Sequence, residues 1–472
     1  MRTTIKTGRF RASARRLEAF GKFFSNAGSR RGAGTYRCPV NHWLFRSRRS
    51  AGEGWFGCGD TIVRVNAARP AGADKISPDQ NAAVAAGFLG WTLDAFDYFL
   101  VVYCLTAIGN EFHRSDKEMA FSITLTLAFR PIGAFLFGLL ADRYGRRLPL
   151  MLDLIFYSIV EVATAFAPTY RVFLILRALF GIGMGGEWGV GASLTMEKVP
   201  PRLRGVFSGL LQQGYAAGNL LAALCYFTFF NRWGWRPMFL LGGLPAILAV
   251  FVRMHVKESE VWEKTRTRDW RDLRRAILGN WKVFLYMVVL MTFMSLTSHG
   301  TQDMYPTFLQ RFRNFDPSMR SAASMIASCG ALIGGIVFGY YSDLKGRRRA
   351  IITALLLGVA VIPLWALSPV TPLLLAGAFL MQFMVQGAWG VIPAHLAELS
   401  PDRVRGFLPG FAYQCGVLLS GSIALIQATF AEHMSYSATM AITAGVVFAG
   451  GCIVAALGRE NRAHVFGVHP AA

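Results

Sequence analysis

The sequence changes character near Ala82, where long apolar runs begin to alternate with short charged loops. A bilayer hydrocarbon core of about 30 Å takes about 20 apolar helical residues to cross. Twelve runs reach that length: 82–108, 119–141, 148–167, 171–195, 206–230, 237–254, 283–309, 321–342, 350–368, 371–396, 407–431 and 436–457. The pattern predicts an all-α membrane protein of twelve transmembrane helices, numbered below as spans 1–12.

Composition closes the other classes. Of 472 residues 53% are hydrophobic and 16% charged, whereas soluble domains carry about 25% charged residues. The 37 Phe, 11 Trp and 14 Tyr exclude disorder over most of the length. Seven scattered cysteines without a CxxC exclude a disulfide scaffold. A net charge of +22 on a soluble protein would suggest nucleic acid. Here residues 1–80 alone hold 16 Lys/Arg against 5 Asp/Glu, and no nucleic-acid partner is expected. This segment lacks strand or helix periodicity and a signal-peptide core. It is expected to be a disordered basic tail, or not to be made natively: no Met falls between Met1 and Met119, and Val63 or Val65 could serve as starts.

Loop charge gives an orientation. Loops after the even-numbered spans, with the C-terminal tail and Arg253 at the end of span 6, carry 23 Lys/Arg, and loops after the odd-numbered spans, with Arg171 at the start of span 4, carry 8. By the positive-inside rule both termini are expected in the cytoplasm, with the chain in a plasma (inner) membrane and the lipid bilayer as its surroundings. The polar stretch after span 6 lies midway. The expected organisation is a tail (1–80), an N-terminal six-helix half (81–254), a linker loop (255–282), a C-terminal six-helix half (283–458) and a second tail (459–472).

The halves repeat. Gly138, Asp142, Gly145, Arg146 and Arg147 recur as Gly339, Asp343, Gly346, Arg347 and Arg348, each displaced by 201 residues. The same offset carries Trp188, Glu197, Arg204 and Gly205 onto Trp389, Glu398, Arg405 and Gly406. Transporters built from internal repeats place their substrate site at the repeat interface near the midplane. GLLADRYGRR (Gly138–Arg147, including Arg143) resembles the signature loop of the major facilitator superfamily, and GYYSDLKGRR resembles its degenerate copy. RALFGIGMGGEWG (Arg177–Gly189) is similar to that superfamily's fourth-helix motif. The resemblance covers about 80–460 and implies two six-helix halves that alternate access. It also implies that the two loops act as a gate, held in one conformation and broken in the other. Topological charge alone is the other reading of those arginines. The GxGxxG at Gly181, Gly183 and Gly186 has no strand before it, so it is not a dinucleotide fingerprint. Gly181, Gly185 and Gly189 read instead as a helix-packing face.

Ionisable groups inside spans are costly and therefore mark function. Asp94 and Asp97 lie in span 1, Arg130 in span 2, Asp153 and Glu161 in span 3, Arg177 and Glu187 in span 4, and His299 with Asp303 in span 7. Arg130 keeps its charge and offers a planar fork suited to a carboxylate. A structural ion pair with Asp94, Asp97 or Glu161 is the alternative. Ser295, His299 and Asp303 follow at i, i+4 and i+8 on one helix face, beside Gln302. Pro306 breaks the helix there, and an imidazole beside a carboxylate is a proton site near neutral pH.

This stretch resembles a signature of the sialate:proton symporter family, which includes lactate/pyruvate permeases and sialic acid carriers: Asn-x-x-Ser/Thr-His-x-Ser/Thr-Gln-Asp-x-x-x-Thr. Ser298, His299, Thr301, Gln302, Asp303 and Thr307 match, and Ser295 stands where the signature has Asn. GWTLDAFDYF in span 1, FRPIGAFLFG around Arg130 and PGFAYQCG around Gln414 are also similar to that family. The resemblance implies Arg130 as carboxylate anchor, and His299, Gln302, Gln414 and Ser295 as substrate contacts. It implies Asp303, with Asp94 and Asp97, as proton-coupling acids. The gate set is Gly138, Asp142, Arg143, Gly145, Arg146, Arg147, Asp343, Gly346 and Arg347.

The expected function is therefore import of a small monocarboxylate such as lactate or pyruvate with a proton, by a monomer needing no cofactor or metal. A sialic or aromatic acid symporter of the same fold is the nearest rival, and a non-transporting carboxylate receptor the next. Span 5 lacks the Gly-Pro pair of antiporters. No nucleophile–base set supports an enzyme, and His395 with Glu398 lacks a third metal ligand.

Overall fold

The computed structural model describes residues 44–47, 53–58, 61–66, 76–266 and 269–467. They fall into two compact units, Met1–Lys75 and Ile76–Ala472. In the first, where the sequence pattern pointed to disorder, β1 (Leu44–Ser47), β2 (Glu53–Cys58) and β3 (Thr61–Asn66) form an antiparallel meander. Leu44 pairs with Gly57, and Cys58 with Thr61. β3 reads Thr-Ile-Val-Arg-Val-Asn, and its β-branched residues favour a strand. Of the rest of the expected tail, residues 76–80 lead into span 1 and the others lie outside the described residues.

The second unit is helical. Among the described residues ten helices are long and apolar enough to cross a membrane. Spans 1–4 are Pro78–Glu111, Asp116–Tyr144, Arg147–Ala165 and Tyr170–Lys198. Spans 8, 10 and 12 are Pro317–Lys345, Thr371–Leu399 and Tyr436–Leu457. Spans 1 and 2 begin in reciprocal caps, Ser77 with Gln80 and Ser115 with Glu118, which satisfy backbone N–H groups that the first helical turn leaves free.

The missing two are spans 5 and 11, each made of two helices. Span 5 runs Arg204–Gln212 and Gly214–Trp233, and span 11 runs Leu408–Ser420 and Ile423–Ala431. Span 6 (Trp235–Leu240 and Leu244–His255) contains a 3-10 turn at Leu241–Gly243. Span 9 (Arg347–Ile362) closes in a π turn, Pro363–Leu367. Span 7 stops at Gln302 and resumes at Tyr305–Arg311, the break expected beside Pro306. Broken helices are tolerated at membrane depth where they line protein or a water-filled space. Large apolar side chains such as Phe227, Ile247, Val446 and Leu457 stand exposed on the outer surface, the belt that lipid covers.

The expected linker loop is helical. Glu260–Thr265 and Trp270–Gly279 are two short helices, and Trp262 Nε1 donates to the Asp142 carbonyl at 2.8 Å. They sit at the end of the bundle that carries the repeated Arg-rich loops, called the basic end below.

Gly181 and Gly185 form the packing face expected of them. A Cβ at either would strike a backbone carbonyl of span 2, that of Thr126 or of Arg130. Span 4 thereby fixes the height of Arg130. Gly185→Val is expected to cost about 1–3 kcal/mol through overpacking and to lower the thermal unfolding midpoint of the detergent-solubilised protein by several degrees; an unchanged midpoint would contradict this packing.

Candidate functional site

At the basic end the two halves are joined by a duplicated set of bonds. Asp142, near the end of span 2, accepts from the backbone N–H of Gly406 at 2.8 Å and of Phe407 at 3.0 Å, at the start of span 11. Asp343 does the same toward span 5, accepting from Gly205 at 2.9 Å and Val206 at 3.0 Å. Each carboxylate thus caps a helix start in the opposite half, where free N–H groups and the helix dipole favour an anion.

The ion pairs repeat as well. Arg146 binds Asp142 at 2.5 Å and Glu197 at 3.0 Å, and Glu197 reaches Arg405 at 3.5 Å. Arg347 binds Asp343 at 2.7 Å and Glu398 at 2.9 Å, and Glu398 reaches Arg204 at 3.4 Å. Both chains run from one half to the other, and nearly all of their groups are buried. Gly138 is needed where it stands, because a Cβ there would lie 2.9 Å from the Phe407 Cα.

Gly145 and Gly346 adopt φ of 104° and 105°, a region that favours glycine. The turns present the next two N–H groups to a carboxylate: Glu258 accepts from Arg146 at 2.9 Å and Arg147 at 3.1 Å, and Glu460 from Arg347 at 3.1 Å and Arg348 at 2.9 Å. Sequence reasoning missed both glutamates. Their offset is 202 rather than 201, so the register search passed over them. Of the expected gate residues Arg143 stands apart, its guanidinium over the Tyr144 ring at 5.4 Å.

A second group gathers around Arg130. This residue is 4% exposed, yet its Nε and Nη2 have no partner. Its guanidinium lies over the ring of Tyr413, 5.9 Å from the centroid. The expected alternative pairing with Glu161 is absent, because Glu161 binds Arg177 at 2.5 Å. Asp94 is an electrostatic neighbour of Arg130 without an ion-pair contact among the described residues.

Tyr98 in span 1 and Tyr215 in span 5 are electrostatic neighbours of both Arg130 in span 2 and Asp303 at the end of the first span 7 helix. Trp188 at 4.5 Å and Trp389 at 5.6 Å pack on Tyr413, and Trp91 stacks on Tyr215 at 5.5 Å. The tyrosines were not anticipated. They come from three spans, and no local spacing signals them.

The expected span 7 pair is present. His299 Nδ1 lies 3.1 Å from an Asp303 oxygen, with both side chains about two-fifths exposed. Gln302 donates to Ser298 at 2.9 Å and to Gln382 at 3.0 Å, and Gln382 donates to Thr301 at 3.2 Å. Ser295 Oγ and both amide atoms of Gln414 are buried without a partner. Both oxygens of Asp94, Asp97, Asp153 and Glu187 are likewise unpartnered in the core of the first half. Among the described residues no cluster of His, Cys, Asp or Glu is arranged to hold a metal ion.

The pattern of the Major Facilitator Superfamily matches residues 87–334 and 304–466. Among curated relatives, a carboxylic acid transporter protein homolog of Saccharomyces cerevisiae is 28% identical over 402 residues, covering 77% of this chain and 65% of that protein. The sialic acid transporter NanX of Escherichia coli is 26% identical over 360 residues, covering 75% and 88%. Among solved structures, the proton:xylose symporter XylE superposes with a TM-score of 0.70 at 18% identity, over 83% of this chain and 98% of that one, a likeness of fold.

The symmetry of the basic end carries a prediction. Removing one member of a buried ion pair costs about 3–5 kcal/mol. Asp142→Asn and Asp343→Asn are therefore expected to lower the unfolding midpoint by similar amounts, with their double variant falling further. A loss confined to one loop would show that only that copy joins the halves.

Proposed function

This chain belongs to the Major Facilitator Superfamily, and on that premise we propose that it imports a small monocarboxylate of the lactate or pyruvate kind together with a proton. The observation that supports this most is the buried guanidinium of Arg130 with two nitrogens unused. A buried cation with unfilled donors is costly, and a carboxylate laid along that edge offsets the cost with two charge-assisted bonds.

The cycle begins with the basic end closed and, by the loop charges, in the cytoplasm. Asp303, beside His299, takes a proton from outside, with Asp94 and Asp97 as further acids in the first half. The substrate carboxylate binds Arg130, and His299 and Gln302 orient the rest of the molecule. The loaded halves then rock, the carboxylates of Asp142 and Asp343 leave their helix starts, and substrate and proton exit inward. One anion with one proton is electroneutral, so the membrane potential, worth about 2.3 kcal/mol per charge per 100 mV, does not drive this stoichiometry. The pH gradient does.

The aromatic lining favours a second reading, a larger ring-bearing acid such as a sialic or aromatic acid. Tyr98, Tyr215 and Tyr413, backed by Trp91, Trp188 and Trp389, offer flat faces beside Arg130.

Labelled L-lactate uptake into proteoliposomes with an inward proton gradient tests the proposal. Wild type is expected to accumulate lactate. Arg130→Ala and Arg130→Lys are expected to lose uptake about a hundredfold or more, since lysine lacks the bidentate edge. Asp303→Asn is expected to lose gradient-driven accumulation. Uptake that ignores the gradient would remove the proton role. Lactate uptake absent while benzoate or N-acetylneuraminate accumulates would favour the second reading.

A further inference from the structure

The C-terminal tail reaches the gate with one aromatic ring. Phe466 is 7% exposed and lies between two guanidinium groups, Arg204 at 3.5 Å and Arg405 at 3.6 Å from the ring centroid. These arginines are the repeat-related pair at the starts of spans 5 and 11, so one belongs to each half. A single ring bonded on both faces cannot follow both arginines when the halves part.

The segment that carries the ring is anchored. Glu460 accepts the backbone N–H groups of Arg347 and Arg348, Asn461 donates to the Glu398 carbonyl at 3.1 Å, and Arg462 donates to the Leu344 carbonyl at 2.6 Å. Beyond the ring, Gly467 N–H donates to Asp402 at 2.9 Å. All of these hold the tail to the second half. Toward the first half the contacts are fewer: Arg204 donates to the His464 carbonyl at 2.6 Å and covers the ring, and Phe466 packs with Met196. Burial holds the His464 imidazole below its ordinary range, so at neutral pH it adds no third positive charge beside the two arginines.

We propose that Phe466 is a gating residue of the transport cycle, a ring fixed to the second half that clasps Arg204 of the first half when the basic end is closed and releases it when that end opens. The ring serves both arginines at once, and it keeps two like charges apart that the repeat brings together on one axis. This proposal does not depend on the substrate.

Two desolvated cation–π contacts correspond to at least a tenfold change in an equilibrium. The test uses the full chain, with its native cysteines replaced and a cysteine at Ala394, which is fully buried and packs in the same apolar cluster as Phe466. Maleimide labelling from the basic side in vesicles reports opening. Phe466→Leu keeps most of the apolar volume and removes the π face; it is expected to label about tenfold faster than wild type. Phe466→Tyr restores the face and is expected to label near the wild-type rate. Leucine labelling at the wild-type rate overturns the proposal, and so does tyrosine labelling as fast as leucine. If Phe466→Leu fails to reach the membrane, Phe466→Met carries the same expectations.

Discussion

The carboxylate that caps a helix in the other half is the interaction on which the described conformation depends. Asp142 and Asp343 each satisfy two backbone N–H groups across the interface and, through an arginine and a glutamate, reach a second arginine there. A hydrophobic seal of similar area would hold the halves together as well, but it would part gradually. A few buried, directional bonds of this kind are either made or lost, which gives an interface two discrete arrangements. The pseudo-twofold repeat doubles the set and distributes it evenly around the axis.

Much of this was legible in the chain. Every apolar run found in the sequence is a span, with ends within a few residues, because a lipid-buried helix must be apolar for a fixed length. The 201-residue offset identified both carboxylates, all four arginines of the two ion-pair chains, and both glutamates that join them. What escaped had a physical reason in each case. Glu258 and Glu460 act on backbone N–H groups of loops far away in sequence, and their register slips by one. Phe466 works by lying between two arginines that are 201 residues apart and close only in the fold. The linker helices and the β1–β3 meander are short elements outside the long apolar runs, too short for the span pattern to mark them.

The region around Arg130 shows the same division. Its ionisable residues could be picked out singly, since each is costly within a span. Their partnerships could not. Arg177 takes Glu161 and Arg130 lies over Tyr413, pairings between residues of different spans that no local spacing encodes. Tyr98, Tyr215 and Tyr413, from three spans, are neighbours of Arg130. The proposed import rests on two features, a buried cation with unused donors and a set of directional bonds between the halves.

If substrate and proton cross together, internal pH reports it most directly. Proteoliposomes enclosing a fluorescent pH indicator, with pH equal on both sides and the potential clamped, would receive external L-lactate. Prompt acidification of the lumen that saturates with lactate and is insensitive to the clamp voltage is expected of an electroneutral symporter. Lactate entering without acidification, or acidification that scales with the imposed potential, would contradict it.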